Sequence, residues 1–337
     1  MTGRERVLAL LEGGEPDHLP AMPITMMFAA DTAGVRYRDY ATDFRALVES
    51  QLRTAEQYGF DHVSAISDPA REASDLGATI EWFDDQPPAI VESRALLADK
   101  STQAGLRVPD PLSAPRMSDR VSAVNALKRA AGDDLLVEGW VEGPVAMAAD
   151  LRGVNTLMLD FNDDPAFVTD LMDFVVEMEL GFARAQIDAG ADIIGVGDAA
   201  ASLVGPNRYR QYDQPWARRL IDGIHTAGGR VRLHICGNTR RILTEMGSYG
   251  AEVVDLDFLS PLSEGRASMG EHQVLLGNVD PVRVLRDSSA AGVRSAIEAC
   301  HRQAGPRYIV GAGCEIPRGT PPENVRAMMG YAGERRC

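Results

Sequence analysis

The chain has 337 residues, of which 45% are apolar and 25% are charged, so its composition excludes disordered and fibrous classes. The formal net charge of −15 argues against nucleic acid or an anionic membrane surface as the main partner. No apolar run is long enough to span a membrane, and the N-terminus lacks the apolar core of a signal peptide. Four cysteines are too few for a disulfide scaffold of this length, so we expect a cytoplasmic protein.

The first part of the chain is predicted to hold two strands among helices and loops. Apolar spacing and the positions of glycine and proline give six elements in chain order. They are a helix at 3–13, a strand at 20–28, a helix at 41–58, a strand at 62–66, an irregular excursion at 70–115 and a helix at 117–131. The excursion ends in PDPLSAP, whose prolines favour a loop.

The rest of the chain alternates regularly between strands and helices. Six more strands are predicted, each followed by helical sequence, at 135–140, 192–196, 230–235, 252–257, 273–276 and 308–311. Eight such units in about 300 residues favour a (β/α)8 barrel over two doubly wound domains. We therefore predict an α/β fold, a single TIM barrel domain over 1–337 with an N-terminal helical extension and an excursion after the second strand. Catalytic groups of such barrels lie at the C-terminal ends of the strands.

Two predicted strands end in residues that bind soft metals. His234 and Cys236 are two positions apart at the end of the fifth strand, so both side chains point to one face. Cys314 follows the eighth strand and should therefore reach the same end of the barrel. One imidazole and two thiolates form a three-ligand set that suits Zn²⁺ with a fourth position open. Buried structural thiols are the alternative, because cysteine is among the most buried residue types.

Several sequence blocks resemble one known family. HICGNT (234–239), GNVDP (277–281) and GAGCEIPRGTPPENV (311–325) resemble signatures of the uroporphyrinogen decarboxylase superfamily. More narrowly, they resemble its zinc-dependent, cobalamin-using branch, which includes methylcobalamin:coenzyme M methyltransferases. The resemblance covers nearly the whole chain. It implies a (β/α)8 barrel and zinc ligands at His234, Cys236 and Cys314.

The absence of arginine from one segment indicates which branch of the family the chain resembles. The decarboxylases of the family carry an arginine-rich N-terminal segment for the porphyrinogen carboxylates, whereas AMPITMMFAA (21–30) holds no arginine. We therefore expect a methyltransferase. A uroporphyrinogen-type decarboxylase acting on a tetrapyrrole and a non-catalytic corrinoid-binding barrel remain alternatives.

The expected reaction moves a methyl group between a corrinoid and a zinc-activated acceptor such as a thiol. Metal coordination deprotonates a thiol and so makes it a nucleophile. The sequence does not decide between a thiol, a folate or another small molecule as acceptor or donor. No Asp-x-His-x-x-Gly corrinoid motif is present, so we expect a separate corrinoid protein or free methylcobalamin as the partner.

Further candidates follow other predicted strands. Asp198 and Glu142 are candidate catalytic residues or a fourth zinc ligand, and the alternatives are a helix cap and a solvated loop carboxylate. Met26 and Asn278 are candidate corrinoid contacts, with a core role as the alternative for Met26. Cys300, within a predicted helix, and Cys337, at the terminus, are not expected to take part.

Overall fold

The structure, a computed structural model, describes residues 1–335, so Cys337 lies outside the described part. Its strands are β1 His62–Ser64, β2 Ile80–Glu81, β3 Ala89–Ile90, β4 Leu136–Glu142, β5 Ile193–Gly197, β6 Val231–Ile235, β7 Val253–Leu256, β8 Val274–Val279 and β9 Tyr308–Ala312. Its α-helices are α1 Gly3–Leu11, α2 Met26–Ala33, α3 Tyr37–Thr42, α4 Phe44–Tyr58, α5 Arg71–Asp75, α6 Pro115–Ala131, α7 Pro144–Arg152, α8 Val154–Asp163, α9 Pro165–Asp188, α10 Pro206–Arg208, α11 Gln214–Thr226, α12 Leu243–Gly247, α13 Leu262–Met269, α14 Ala290–Ala304 and α15 Pro322–Glu334. Short 3₁₀ segments cover Glu92–Arg94, Lys100–Gly105 and Ala199–Leu203, and π-helical turns cover Tyr209–Asp213 and Pro281–Arg286.

Seven strands form one parallel sheet in the order β1-β4-β5-β6-β7-β8-β9. Every residue of these strands is buried, because helices cover the outer face and inward side chains pack against one another. The predicted strands from residue 62 onward are thereby confirmed, with ends shifted by a few residues. The separate β2–β3 pair is antiparallel and lies in the predicted excursion.

The prediction of a strand over 20–28 is wrong for most of its length. Only Ala21 forms a bridge, parallel to Val310 of β9, and the chain turns into α2 at Met26. Pro20 and Pro23 lack the N–H groups that a ladder needs, and this limits the strand. A run of consecutive apolar residues does not separate strand from helix, and here MMFAADTA packs as a helix.

The short segment at 20–22 contacts both edges of the sheet. On one side, the N–H of Val310 donates to the carbonyl of Pro20 at 2.8 Å, and the N–H of Met22 donates to the carbonyl of Val310 at 3.0 Å. On the other side, the N–H of Asp61, next to β1, donates to the carbonyl of Ala21 at 3.1 Å. The curled sheet therefore has no open backbone edge at this level.

Helix α1 packs across one end of the sheet. Val7 and Leu10 are buried against residues near the N-terminal ends of the strands, including Leu136 and Ile193. This apolar plug covers the N-terminal end, so the strand C-termini form the accessible end. No helix among residues 1–335 is both long and apolar enough to cross a membrane.

Candidate metal centre and adjoining cavity

Three soft side chains converge at the C-terminal end of the sheet. His234 lies in β6, Cys236 follows that strand, and Cys314 follows β9. Their donor atoms lie within 4.8 Å of one another, and His234 Nε2 is 3.2 Å from Cys236 Sγ. Gly237 has a φ of +89°, so the chain turns away immediately after Cys236. Parallel strands thus bring together residues that are far apart in sequence.

The donor set fits zinc. Ligand atoms at 2.0–2.3 Å from a tetrahedral zinc ion are about 3.5 Å apart, which agrees with the closeness of these three atoms. Two sulfurs and one imidazole nitrogen match a soft site with one position left for another ligand. Neither Asp198 nor Glu142 joins this cluster of donor atoms.

The His234 ring is held from behind by Asp255. The β6–β7 register places Asp255 opposite His234, and Asp255 Oδ2 lies 3.2 Å from His234 Nδ1. Asp255 Oδ2 also accepts from Arg232 Nη2 at 2.6 Å, and Arg232 Nη1 donates to Glu138 Oε1 at 3.2 Å. Nδ1 is therefore engaged, and Nε2 faces Cys236. Sequence reasoning missed Asp255, although its place in a strand beside β6 was a usable signal.

The groups around Cys236 and Cys314 favour a single negative charge shared between the two thiols. A hydrogen bond from Cys236, together with His234, lowers the pKa of Cys314 to about 4 despite burial. The same hydrogen bond with Cys314, added to burial, raises the pKa of Cys236. Burial opposes the charged His234 ring, but Cys236 and Asp255 raise its pKa above the usual value. Negative charge on sulfur is thus favoured at a place where a cation can neutralise it.

A small cavity of ≈ 170 Å³ adjoins the three donors. Its wall is largely apolar, and Met26 contributes to it from the first turn of α2. Glu142, the last residue of β4, also faces it. Its lining residues are Ile24, Met26, Ile66, Asp68, Pro69, Arg71, Trp140, Glu142, Gly197, Ala199, His234, Cys236 and Cys314.

Glu142 belongs to a buried ionic cluster around Arg71. Arg71 Nη2 donates to Glu142 Oε1 at 2.9 Å and to Glu72 Oε1 at 3.2 Å. Burial raises the pKa of Glu142 to about 8, although Arg71 opposes this shift. Burial likewise raises the pKa of Asp150 and of Glu179, which share this neighbourhood. The sequence suggested Glu142 but not the arginine that holds it.

A wider groove of ≈ 660 Å³ lies on the other side of Cys314. Phe258, Leu259 and Val282 line it and keep 39%, 47% and 41% of their surfaces exposed. Arg283 and other arginines border the same groove. Cys314 lines both the small cavity and the groove. A ligand in the small cavity and a ligand in the groove can therefore meet beside this residue.

Two of the sequence candidates face elsewhere. Asp198 Oδ1 accepts from the N–H of Ala146 in the first turn of α7 at 2.7 Å, and its carboxyl group pairs with that of Asp213. Burial raises the pKa of Asp198 to about 6. Asn278 Nδ2 donates to the carbonyls of Asp257 and Ser260 at 3.0 and 2.7 Å. Neither side chain lines the small cavity or the groove.

The comparison with protein families agrees with the motifs. The family model described as uroporphyrinogen decarboxylase (URO-D) matches residues 2–335. The chain belongs to the URO-D family. The resemblance drawn from the sequence blocks is thereby confirmed at the level of the family.

Relatives within the URO-D family carry two kinds of name. The chain is 25% identical to "Methylcobamide:CoM methyltransferase MtaA" of Methanosarcina barkeri, over 99% of this chain and 98% of that protein. It is 24% identical to a "Uroporphyrinogen decarboxylase" of Microcystis aeruginosa, over 97% of this chain and 96% of that protein. A solved "methyltransferase from Methanosarcina mazei" has the same fold, with a TM-score of 0.90, 23% identity and 99% of both chains covered.

Proposed function

We propose that this protein is a zinc-dependent methyltransferase that moves a methyl group between a corrinoid and a small thiol. The convergence of His234, Cys236 and Cys314 within 4.8 Å carries the proposal. Methyltransferases among its full-length relatives support it. We also propose that the fold is a single (β/α)8 barrel domain with the segment at 20–22 as its eighth strand. Its free thiols suit the reducing cytoplasm.

The chain's own residues position the reactants. When bound, zinc supplies Lewis acidity that keeps a coordinated thiol deprotonated at neutral pH. Asp255 orients the His234 ring, so that Nε2 points to the site. The apolar wall of the small cavity excludes water from the sulfur. With a methyl corrinoid as donor, transfer to the thiolate would form an S–C bond and break the Co–C bond, and the corrinoid would leave with the electron pair of that bond.

The wider groove is the proposed place for the corrinoid. The groove is larger than the small cavity, borders Cys314 and exposes apolar side chains that can cover a macrocycle. The partner is then a separate corrinoid protein or free methylcobalamin. Docking over the groove would bring the methyl group next to the thiol sulfur, the arrangement that direct transfer requires.

A tetrapyrrole decarboxylase is the second candidate, because some relatives carry that name. A substrate with many carboxylates needs cationic partners. Among residues 1–335, one arginine, Arg71, lines the small cavity, and it is already paired with Glu142 and Glu72. These contacts favour the methyltransferase. A non-catalytic corrinoid-binding barrel is disfavoured because it would not need the converged His and Cys side chains.

Turnover of methylcobalamin by the zinc-loaded protein tests the proposal. With a panel of thiols, we expect a thiol-dependent change in corrinoid absorbance that Cys236→Ser abolishes and Cys300→Ser retains. Release of coproporphyrinogen from uroporphyrinogen would instead establish the decarboxylase. Zinc-free protein with full methyl-transfer activity would contradict the proposed role of the metal.

A further inference from the structure

The small cavity beside the three donors has an apolar wall that is separate from the main core. Ile24, Ile66 and Trp140 form a cluster of their own, each 4–5% exposed, and Met26 packs against it. All four side chains line the cavity of ≈ 170 Å³. A hydrocarbon chain in this space would displace water from an apolar surface, and this displacement favours binding.

The ring of Trp140 is held in place by its neighbours. It lies against β5, where a Cβ at Gly195 would come within 2.1 Å of the ring and a Cβ at Gly197 within 3.0 Å. The backbone of Trp140 exchanges two hydrogen bonds with the side chain of Gln186, at 2.8 and 3.0 Å. The wall is therefore a packed side chain on a buried strand, which limits the cavity to small ligands.

The guanidinium groups near this cavity are already paired. Arg71 is 1% exposed, and its Nη2 donates to Glu142 Oε1 at 2.9 Å and to Glu72 Oε1 at 3.2 Å. Arg116 Nη2 donates to Asp68 Oδ2 at 2.7 Å. An anionic group on a thiol would lose its hydration here, and no unpaired cation lines the cavity within residues 1–335.

The same surroundings offer no excess of negative charge. Burial raises the pKa of Glu142 to about 8, although Arg71 opposes the shift, and burial also raises the pKa of Glu72, Asp150 and Glu179. Burial thus favours the protonated forms of these carboxyl groups, and a single carboxylate is enough to balance Arg71. A cationic group on a thiol would therefore also be buried without an uncompensated partner.

From the apolar wall and the paired charges we infer that the thiol of the proposed reaction carries a short, uncharged hydrocarbon chain. Its chemical class is a short-chain alkanethiol of the size of 1-propanethiol. Its sulfur occupies the open position beside His234 and the two cysteines, and its chain lies against the apolar wall. This inference rests on the proposed function, because it requires a thiol at the zinc site.

Three thiols that share one two-carbon spacer provide the test. They are 1-propanethiol, 3-mercaptopropionate and 2-aminoethanethiol, which end in a methyl, a carboxylate and an ammonium group. Calorimetric titration of the zinc-loaded protein without corrinoid measures their affinities directly. We expect 1-propanethiol to bind more tightly than either charged thiol by about tenfold or more, because each charge would be buried without a partner. Equal or tighter binding of a charged thiol would overturn the inference.

Met26→Ala separates packing against the wall from the different acidities of the three thiols. Thiol acidity acts through the metal and persists in the variant, whereas packing of the chain is reduced. We expect the affinity for 1-propanethiol to fall by about three- to tenfold, and its advantage over the charged thiols to narrow. Met329→Ala is the matched control, because Met329 is also half-buried but lies in α15 and lines neither the small cavity nor the groove. Unchanged affinity for 1-propanethiol in Met26→Ala would contradict the inference.

The same titrations distinguish the inference from the proposed function. Tighter binding of a charged thiol would overturn only the choice of the alkanethiol. Failure of every thiol to bind the zinc-loaded protein would overturn the thiol of the proposed reaction, and the inference with it. Circular dichroism and zinc content of Met26→Ala show whether the variant is folded and loaded. If it is not, the wild-type order of affinities decides.

Discussion

Asp255 Oδ2 lies 3.2 Å from His234 Nδ1 and 2.6 Å from Arg232 Nη2. One carboxylate thus joins the proposed metal site to a buried ion pair deeper in the sheet. The arrangement holds the imidazole plane and directs Nε2 toward the two thiols. Metal-binding histidines commonly have such a partner, which increases their affinity for the ion.

Removing the charge of this carboxylate should weaken zinc binding. For Asp255→Asn we expect a loss of zinc affinity of about 10–100-fold, because the amide cannot hold the ring as a carboxylate does. Competition with a chromophoric chelator measures it. Glu138→Gln is the matched control, since it changes the same Arg232 cluster without contacting His234. Equal zinc affinity in Asp255→Asn and wild type would refute the positioning role.

Replacing either proposed cysteine ligand should remove the metal. We expect about one zinc per chain in the wild-type protein and much less in Cys236→Ser and Cys314→Ser. Cys300→Ser should keep its zinc, because Cys300 lies in α14 and its thiol faces Asn278. Metal analysis after gel filtration gives the ratio. Equal loss in all three variants would indicate unfolding rather than the loss of a ligand.

The Asp198–Asp213 pair should make stability depend on pH. Burial raises the pKa of both carboxyl groups, and Asp198 adds to the rise at Asp213. The hydrogen bond with Asp213 opposes part of the rise at Asp198, whose pKa in the folded protein is still raised from 3.8 to about 6. The folded state holds the proton of Asp198 more tightly than the unfolded chain. Its stabilising contribution is therefore complete below about pH 4 and is lost as the pH rises through about 6.

Asp198→Asn tests this proton. The amide oxygen can still accept from Ala146, and the amide nitrogen can donate to Asp213 without a shared proton. In urea unfolding, the free energy of unfolding of the variant should rise relative to that of wild type as the pH increases from 4 to 8. Asp213→Asn should show the same trend. A constant difference across this range would show that the pKa of Asp198 is not raised in the folded protein.

Loss of Arg71 should destabilise the fold strongly. Arg71→Met leaves Glu142 and Glu72 without their buried cation, and removal of one partner from such a pair costs about 3–5 kcal/mol. The free energy of unfolding in urea measures the change. Arg36→Met breaks an exposed pair with Asp39 and should have a much smaller effect. Similar losses in both variants would mean that the Arg71 cluster contributes no more than a surface pair.

Much of this arrangement was accessible from sequence alone. Strand–helix alternation predicted the parallel sheet, and the ends of two strands predicted that His234, Cys236 and Cys314 would meet. The second prediction succeeds because the C-terminal ends of parallel strands lie at the same end of the sheet, regardless of how the loops are folded. The prediction of a strand over 20–28 was wrong because a continuous apolar run has no period that separates a strand from a buried helix.

The alternation of strands and helices, the family and the three soft donors could all be inferred from the order of the amino acids. The folded chain was needed to show that Asp255 orients His234, that Arg71 pairs with Glu142 and Glu72, and that Asp198 turns toward α7. These depend on register, rotamers and burial, which bring together residues that no local period relates. Local patterns specify which face a residue occupies, but the contact of two charged groups requires the packed arrangement of several elements.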